Sequence, residues 1–110
     1  MIKTNYNLIP DKLYINYMDK LVNRVFKILP LKDEKSETVN TYITNLLFEL
    51  TGNQELILFL NNDSQYEALL SNLQGLLIDD SNYRSIILNC IPLIKSLKTK
   101  YCSGGENNEY

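Results

Sequence analysis

Three sets of side chains in this 110-residue sequence have the types and spacing to do chemistry. The first is acidic. Asp63 and the pair Asp79–Asp80 could gather around a divalent cation. Each precedes a helix-forming stretch, where acids serve as caps, and neither loop has the alternating oxygens and central glycine of a calcium loop. The second is nucleophilic. Ser85 or Ser96 could pair with a lysine, but no strained nucleophile elbow surrounds either serine. The third is basic. Lys20, Arg24 and Lys27 fall at i, i+4 and i+7, and Arg84, Lys95 and Lys98 lie within about 60° of one another on one flank of a helical wheel. Two such strips could hold a phosphate backbone.

Other chemistry has little to stand on. The chain has no histidine, which removes the commonest general base and the commonest metal ligand together. Its two cysteines, Cys90 and Cys102, are far from any CxxC spacing, so no zinc site is expected. Cys90 falls on an apolar helix face, as a small buried hydrophobe does. The adjacent glycines, Gly104 and Gly105, follow no strand and cannot make a phosphate loop. Most of the eight tyrosines lie in apolar stripes, where the ring packs and the hydroxyl reaches the rim. The expectation is a protein that is not an enzyme and needs no metal or cofactor. Enzymatic activity would require a ligand pocket near Tyr14, Tyr17 or Tyr42.

Charge is segregated. The formal net charge is −2, yet residues 36–83 contain seven acids and no Lys or Arg. Residues 1–35 net +3, residues 84–101 net +4 and residues 102–110 net −2. Basic flanks around an acidic middle can attract each other within a fold, or present opposed surfaces to partners. The acidic overall balance speaks against nucleic-acid binding, which stays open but is not favoured. The longest apolar run, Leu56 to Leu60, is far too short to span a bilayer, and no secretory leader is visible. A reduced, cytoplasmic location is the expectation. Frequent Asn, Lys and Ile suggest AT-rich coding and a low-GC bacterium or its mobile elements.

The elements that must position these residues are helical. Residues 11–29 put Tyr14, Tyr17, Met18, Leu21, Val22, Val25, Phe26, Ile28 and Leu29, with Ile15 at their edge, into one arc of roughly half the wheel, too wide for a single neighbour to cover. Pro30 should end this first helix, and Lys32 to Lys35 should form a connector. Ser36 is the expected N-cap of a second helix, Glu37 to Leu50, stopped by Gly52 and Asn53. Gln54 to Leu60 reads as a buried strand or a short helix; with no strand evident to pair with it, a short helix is favoured. Ser64 and Glu67 have capping-box spacing before a helix over 65–78. A last helix spans 82–101, with a kink or break expected at Pro92. The spacing predicts an all-α fold: a small antiparallel bundle of four main helices plus a short fifth. One domain over 11–101 lies between an extended arm (1–10), pinned by Tyr6, Leu8 and Ile9, and a flexible tail (102–110).

Three apolar residues break the pattern. Leu13 lies in the polar arc of the first helix, Phe48 opposite the stripe of the second, and Leu88 between Arg84 and Lys95. Beside charges they have the look of a contact patch, although Phe48 could instead cover the Leu56–Leu60 run.

The runs Tyr14-Ile15-Asn16-Tyr17-Met18-Asp19-Lys20-Leu21-Val22-Asn23 and Phe26-Lys27-Ile28-Leu29-Pro30-Leu31, then Tyr42, Leu46-Leu47-Phe48-Glu49-Leu50 and Gly52, give a likeness over the first half of the chain. It resembles small helical proteins of bacterial defence and mobile-element cassettes, among them the middle components that accompany an ABC-type ATPase and an effector. The resemblance implies a subunit-bridging adaptor and carries over no site residues. The expected function is therefore protein–protein interaction, as a small subunit of a larger, anti-phage assembly or by self-association. The alternative is a phage or mobile-element regulator that acts through its charged surfaces.

Overall fold

A computed structural model describes residues 2–4 and 8–107, with side chains as far as Tyr101. It is an all-α bundle of four main helices, α1 (Asp11–Phe26), α3 (Val39–Leu56), α4 (Ser64–Ile78) and α5 (Tyr83–Asn107). A short α2 (Ile28–Asp33) and a 3-10 turn (Leu58–Leu60) join them, and a two-stranded hairpin, β1 (Ile2–Lys3) with β2 (Leu8–Ile9), precedes them. The core takes Met18, Leu21, Val25, Ile43, Leu46, Leu50, Leu69, Leu73, Ile87, Ile94 and Leu97, at the helical spacing of the apolar stripes. α5 packs along both α1 and α4, so the last helix lies between two earlier ones. α3 stands at the edge of this layer against α4. Among the described residues, no helix is long and apolar enough to cross a membrane.

The boundaries differ from the expectation wherever proline and glycine were read as simple stops. α1 ends at Phe26, a turn before Pro30, and α2 begins at Ile28 with Pro30 in its first turn. Proline lacks the N–H that would bond to the Phe26 carbonyl, and its ring crowds that carbonyl, so the break falls upstream. Lys32 and Asp33 of the expected connector are thus helical, and Glu34 and Lys35 make the turn that follows. α2 closes on Lys35, which has a positive φ of 55°. Ser36 N–H reaches the Leu31 carbonyl and Lys35 N–H the Lys32 carbonyl, the paired bonds of a Schellman ending. The Ser36 hydroxyl accepts the Thr38 N–H, so its capping occurs before α3 rather than at its first residue.

α3 passes through Gly52 and Asn53 and ends at Leu56. Gly52 does not adopt a left-handed conformation, and Asn53 spends its amide on the Tyr17 hydroxyl instead of capping. Ile57 is extended and forms an antiparallel bridge with Thr4, and the 3-10 turn follows. The N-terminal arm thus supplies the pairing partner that the sequence did not reveal. The arm buries Ile2 to 2% exposure, while Leu8 remains 52% exposed; Tyr6 lies outside the described residues.

The capping box also needs correction. Asp63 caps α4, accepting the N–H groups of Gln65 and Tyr66, whereas Glu67 accepts the Gln54 amide. α5 is continuous through Pro92, and no kink is shown there. Pro92 is exposed, so the Leu88 carbonyl it leaves unbonded faces water. The helix runs on to Asn107, into the stretch read as a tail; residues 108–110 lie outside the described residues.

Candidate functional site

α1 and α3 approach through long side chains rather than close-packed backbones, and a polar seam fills the space between them. Arg24 and Tyr17 come from one flank of α1; Tyr42, Glu49 and Asn53, spaced seven and four residues apart, come from the facing flank of α3. Arg24 grips Glu49 in a two-pronged pair, Nη1 to Oε2 at 2.7 Å and Nη2 to Oε1 at 3.0 Å. The Tyr17 hydroxyl donates to Glu49 and accepts from the Asn53 amide at 2.9 Å. Tyr42 donates to the Arg24 carbonyl at 2.8 Å. The Arg24 guanidinium holds the Glu49 carboxyl below its usual range against the opposing effect of burial. Burial, then Glu49, pushes the Tyr17 hydroxyl up. A carboxylate with both oxygens occupied and a phenol that resists ionisation are not poised to trade protons near neutral pH.

Next to the seam lies an apolar cleft of about 360 Å³ between the hairpin, the start of α1 and the end of α3. Ile9, Leu13, Tyr14, Leu56 and Ile57 line it, with Tyr17 and Asn53 at its polar end. This is where Tyr14 and Tyr17 meet, although the Tyr14 hydroxyl is already committed to the Leu97 carbonyl at 2.9 Å. Leu13 stands on its rim at 56% exposure.

A second junction ties α4 to the far end of α5. Asp63, whose side chain is 1% exposed, caps α4 with one oxygen and takes Lys100 (2.7 Å) and the Tyr101 hydroxyl on the other. Burial opposes its ionisation, but the bonds from Lys100, Tyr101 and Tyr66 outweigh that and hold its carboxyl below the usual range. Burial and then Asp63 push the Tyr101 hydroxyl up to about 12. Tyr101 stacks on Phe59, with centroids 3.7 Å apart, and Phe59 meets Tyr14 edge-on. Asp63 therefore works as a cap and a clasp. Among the described residues there is no group of three or more metal-ligating side chains, and Asp79 and Asp80 serve the turn before α5. Cys90 is buried, and burial pushes its thiol up to about 12.

The six candidate cations do not form one patch. Arg24 is turned onto Glu49 of α3, whereas Lys98 pairs with Asp19 on the opposite flank of α1 at 2.8 Å. Arg84 pairs with Asp33, roughly 16–21 Å along α5 from Lys95 and Lys98 at the rise of an α-helix. Lys20, Lys27 and Lys95 are exposed. The charge segregation is used inside the fold as well. Arg24–Glu49, Lys32–Asp80 and Lys100–Asp63 each join a basic flank to the acidic middle.

The three apolar candidates are exposed and stand apart. Leu13 rims the cleft, and Leu88, at 48% exposure, sits beside Arg84 on the first half of α5. Phe48 projects from the outer face of α3 at 73% exposure and so does not cover the Leu56–Leu60 run. Phe26 and Leu77, expected in the apolar stripes, lie at their edges and are partly exposed, and Ile78, at 85%, is the most exposed apolar residue among those described. It lies just past the buried α4 stripe, and its helical angle alone would have set it outside. The seam and the Asp63 clasp were also missed. The spacing of Tyr42, Glu49 and Asn53 carried a signal for a polar flank, but nothing in one sequence pairs that flank with α1.

No family model matches this chain, and neither the curated proteins nor the solved structures offer a match to it.

Proposed function

We propose that this chain is a non-catalytic interaction protein, a small subunit or adaptor that docks on another protein, working in the reducing cytoplasm as part of a larger bacterial assembly. Anti-phage defence is the setting that its resemblance suggests. The observation that carries the reading is Phe48. It is an aromatic side chain 73% exposed in the middle of an edge helix, whose outward neighbours Thr41, Asn45 and Thr51 carry no charge. Aromatic residues flanked by uncharged ones make the centre of protein interfaces. The titratable chemistry faces inward by contrast, where Glu49 and Asp63 are committed to Arg24 and Lys100. The test is co-expression with the neighbouring genes. Phe48→Ala should weaken the resulting complex at least tenfold while leaving the melting temperature within a degree or two. Leu13→Ala and Leu88→Ala measure whether the contact extends to their faces. A complex indifferent to all three changes would overturn the reading.

A further inference from the structure

We infer that the cleft between the hairpin, the start of α1 and the end of α3 is a binding site for a neutral small molecule, an alcohol with an apolar body whose hydroxyl bonds to Asn53. The inference goes beyond the interaction reading and stands independently of it. Three observations carry it. The first is size. Close-packed proteins leave few voids larger than a water molecule. This cleft holds about 360 Å³, within the roughly 300–1,000 Å³ of small-molecule sites. Its walls are mostly apolar, with Ile9, Leu13, Leu56 and Ile57 beside two tyrosines.

The second is that the walls are already held in place. The Tyr14 hydroxyl is bonded to the Leu97 carbonyl at 2.9 Å, and its ring meets Phe59 edge-on. The Tyr17 hydroxyl is held between Glu49 and Asn53. Ile57 is extended and bridged to Thr4, which fastens the hairpin along one side of the cleft. A ligand entering such a site has little left to order, so more of its burial appears as affinity.

The third is the chemistry of the polar end. Asn53 gives an amide N–H to the Tyr17 hydroxyl at 2.9 Å, and its Oδ1 takes no side-chain or backbone donor among the described residues. An amide with a spare acceptor and a spare N–H suits a hydroxyl, which both donates and accepts. Among the described residues, no charged side chain lines the cleft. A carboxylate would find no cation there, because Arg24 is committed to Glu49. An ammonium would give up water without gaining a free carboxylate, because Glu49 is held by Arg24 and Tyr17. A neutral head group is the one this end accepts.

Titration of the isotope-labelled chain with octanol, octanoate and octylamine at neutral pH, followed by amide NMR, tests this. Octanol should give saturable shifts centred on Thr4, Leu13, Asn53 and Ile57. Octanoate and octylamine have the same chain but a charged head, and each should bind at least about tenfold more weakly. Asn53→Leu should weaken octanol by about three- to tenfold, the worth of one hydrogen bond. Leu13→Trp is the second variant, because Leu13 is 56% exposed on the rim and its replacement leaves the core alone. It should narrow the mouth and weaken octanol too, with cooperative melting retained. Four outcomes overturn the inference: no saturable shift up to the solubility of octanol, shifts centred on Phe48 and Leu88, equal affinity for the charged probes, or octanol binding unchanged in both variants.

Discussion

At Lys35 the backbone takes a left-handed conformation that a β-carbon resists by about 1 kcal/mol. Nothing about the Lys35 side chain is needed for the turn, because the two Schellman bonds are made by backbone groups. Lys35→Gly should therefore stabilise the fold by roughly 0.5–1 kcal/mol, read as a higher urea midpoint with an unchanged slope. Asp63 is the opposite case, a side chain on which several bonds converge. Its replacement by alanine uncaps α4 and leaves Lys100 and Tyr101 without their acceptor, for a loss of about 2 kcal/mol in thermal or chemical melts. Asp63 and Glu49 both have folded-state values below their ordinary 3.8 and 4.5. Their stabilisation is thus fully present above those ordinary values and is lost as pH falls through the lower folded-state ones. Melting temperature should hold from pH 7 to about 5 and fall below about 4, and the fall should be shallower in a D63N/E49Q double variant.

Among the elements, α5 and the N-terminal hairpin make the sharpest claims. Pro92 sits on the solvent face of a helix that continues past it, so Pro92→Ala restores one backbone bond to Leu88 without disturbing the packed stripe. The expected change is a stabilisation of about 1–3 kcal/mol; a loss of stability would mean the proline shapes α5. Ile2 is buried at 2% exposure under the bridge between Thr4 and Ile57. Ile2→Ala should cost about 2–4 kcal/mol, a core penalty from a residue near the chain's start. These elements also show what a sequence can carry. The stripes of α1, α3, α4 and α5 were legible because period 3.6 is a local property, repeated within each helix. The hairpin was not, because strands of two residues are too short to show a period, and the bridge from Thr4 to Ile57 joins residues that no local pattern connects. Gly52 misled for a related reason. A glycine reads as a stop when the chain turns there, and here Leu56 and Ile57 find their partners only if the helix goes on. The candidate surface was half legible. Phe48 stood out against its own wheel, whereas the seam between α1 and α3 emerges only when the two helices are set side by side.

At the scale of the molecule, α1 and α3 meet chiefly through polar side chains, while α5 packs closely along both α1 and α4. Glu49→Gln should loosen that one seam. The pair is 38% exposed on each side, so the equilibrium cost is about 1 kcal/mol rather than that of a buried ion pair. Hydrogen exchange should accelerate in α1 and α3 before α4 and α5. α5 has a further consequence. It is the last main helix in chain order, yet it lies between α1 and α4, and Tyr14 bonds to Leu97 across 83 positions. During translation, α1, α3 and α4 leave the ribosome with their apolar stripes facing a gap that the chain has not yet filled. At ~5–20 residues per second, the interval from Ile78 to Leu97 lasts roughly 1–4 s. For that time the nascent chain offers its inner surface to whatever waits at the tunnel exit, chaperone or sister chain. The apolar core closes only when that one helix arrives.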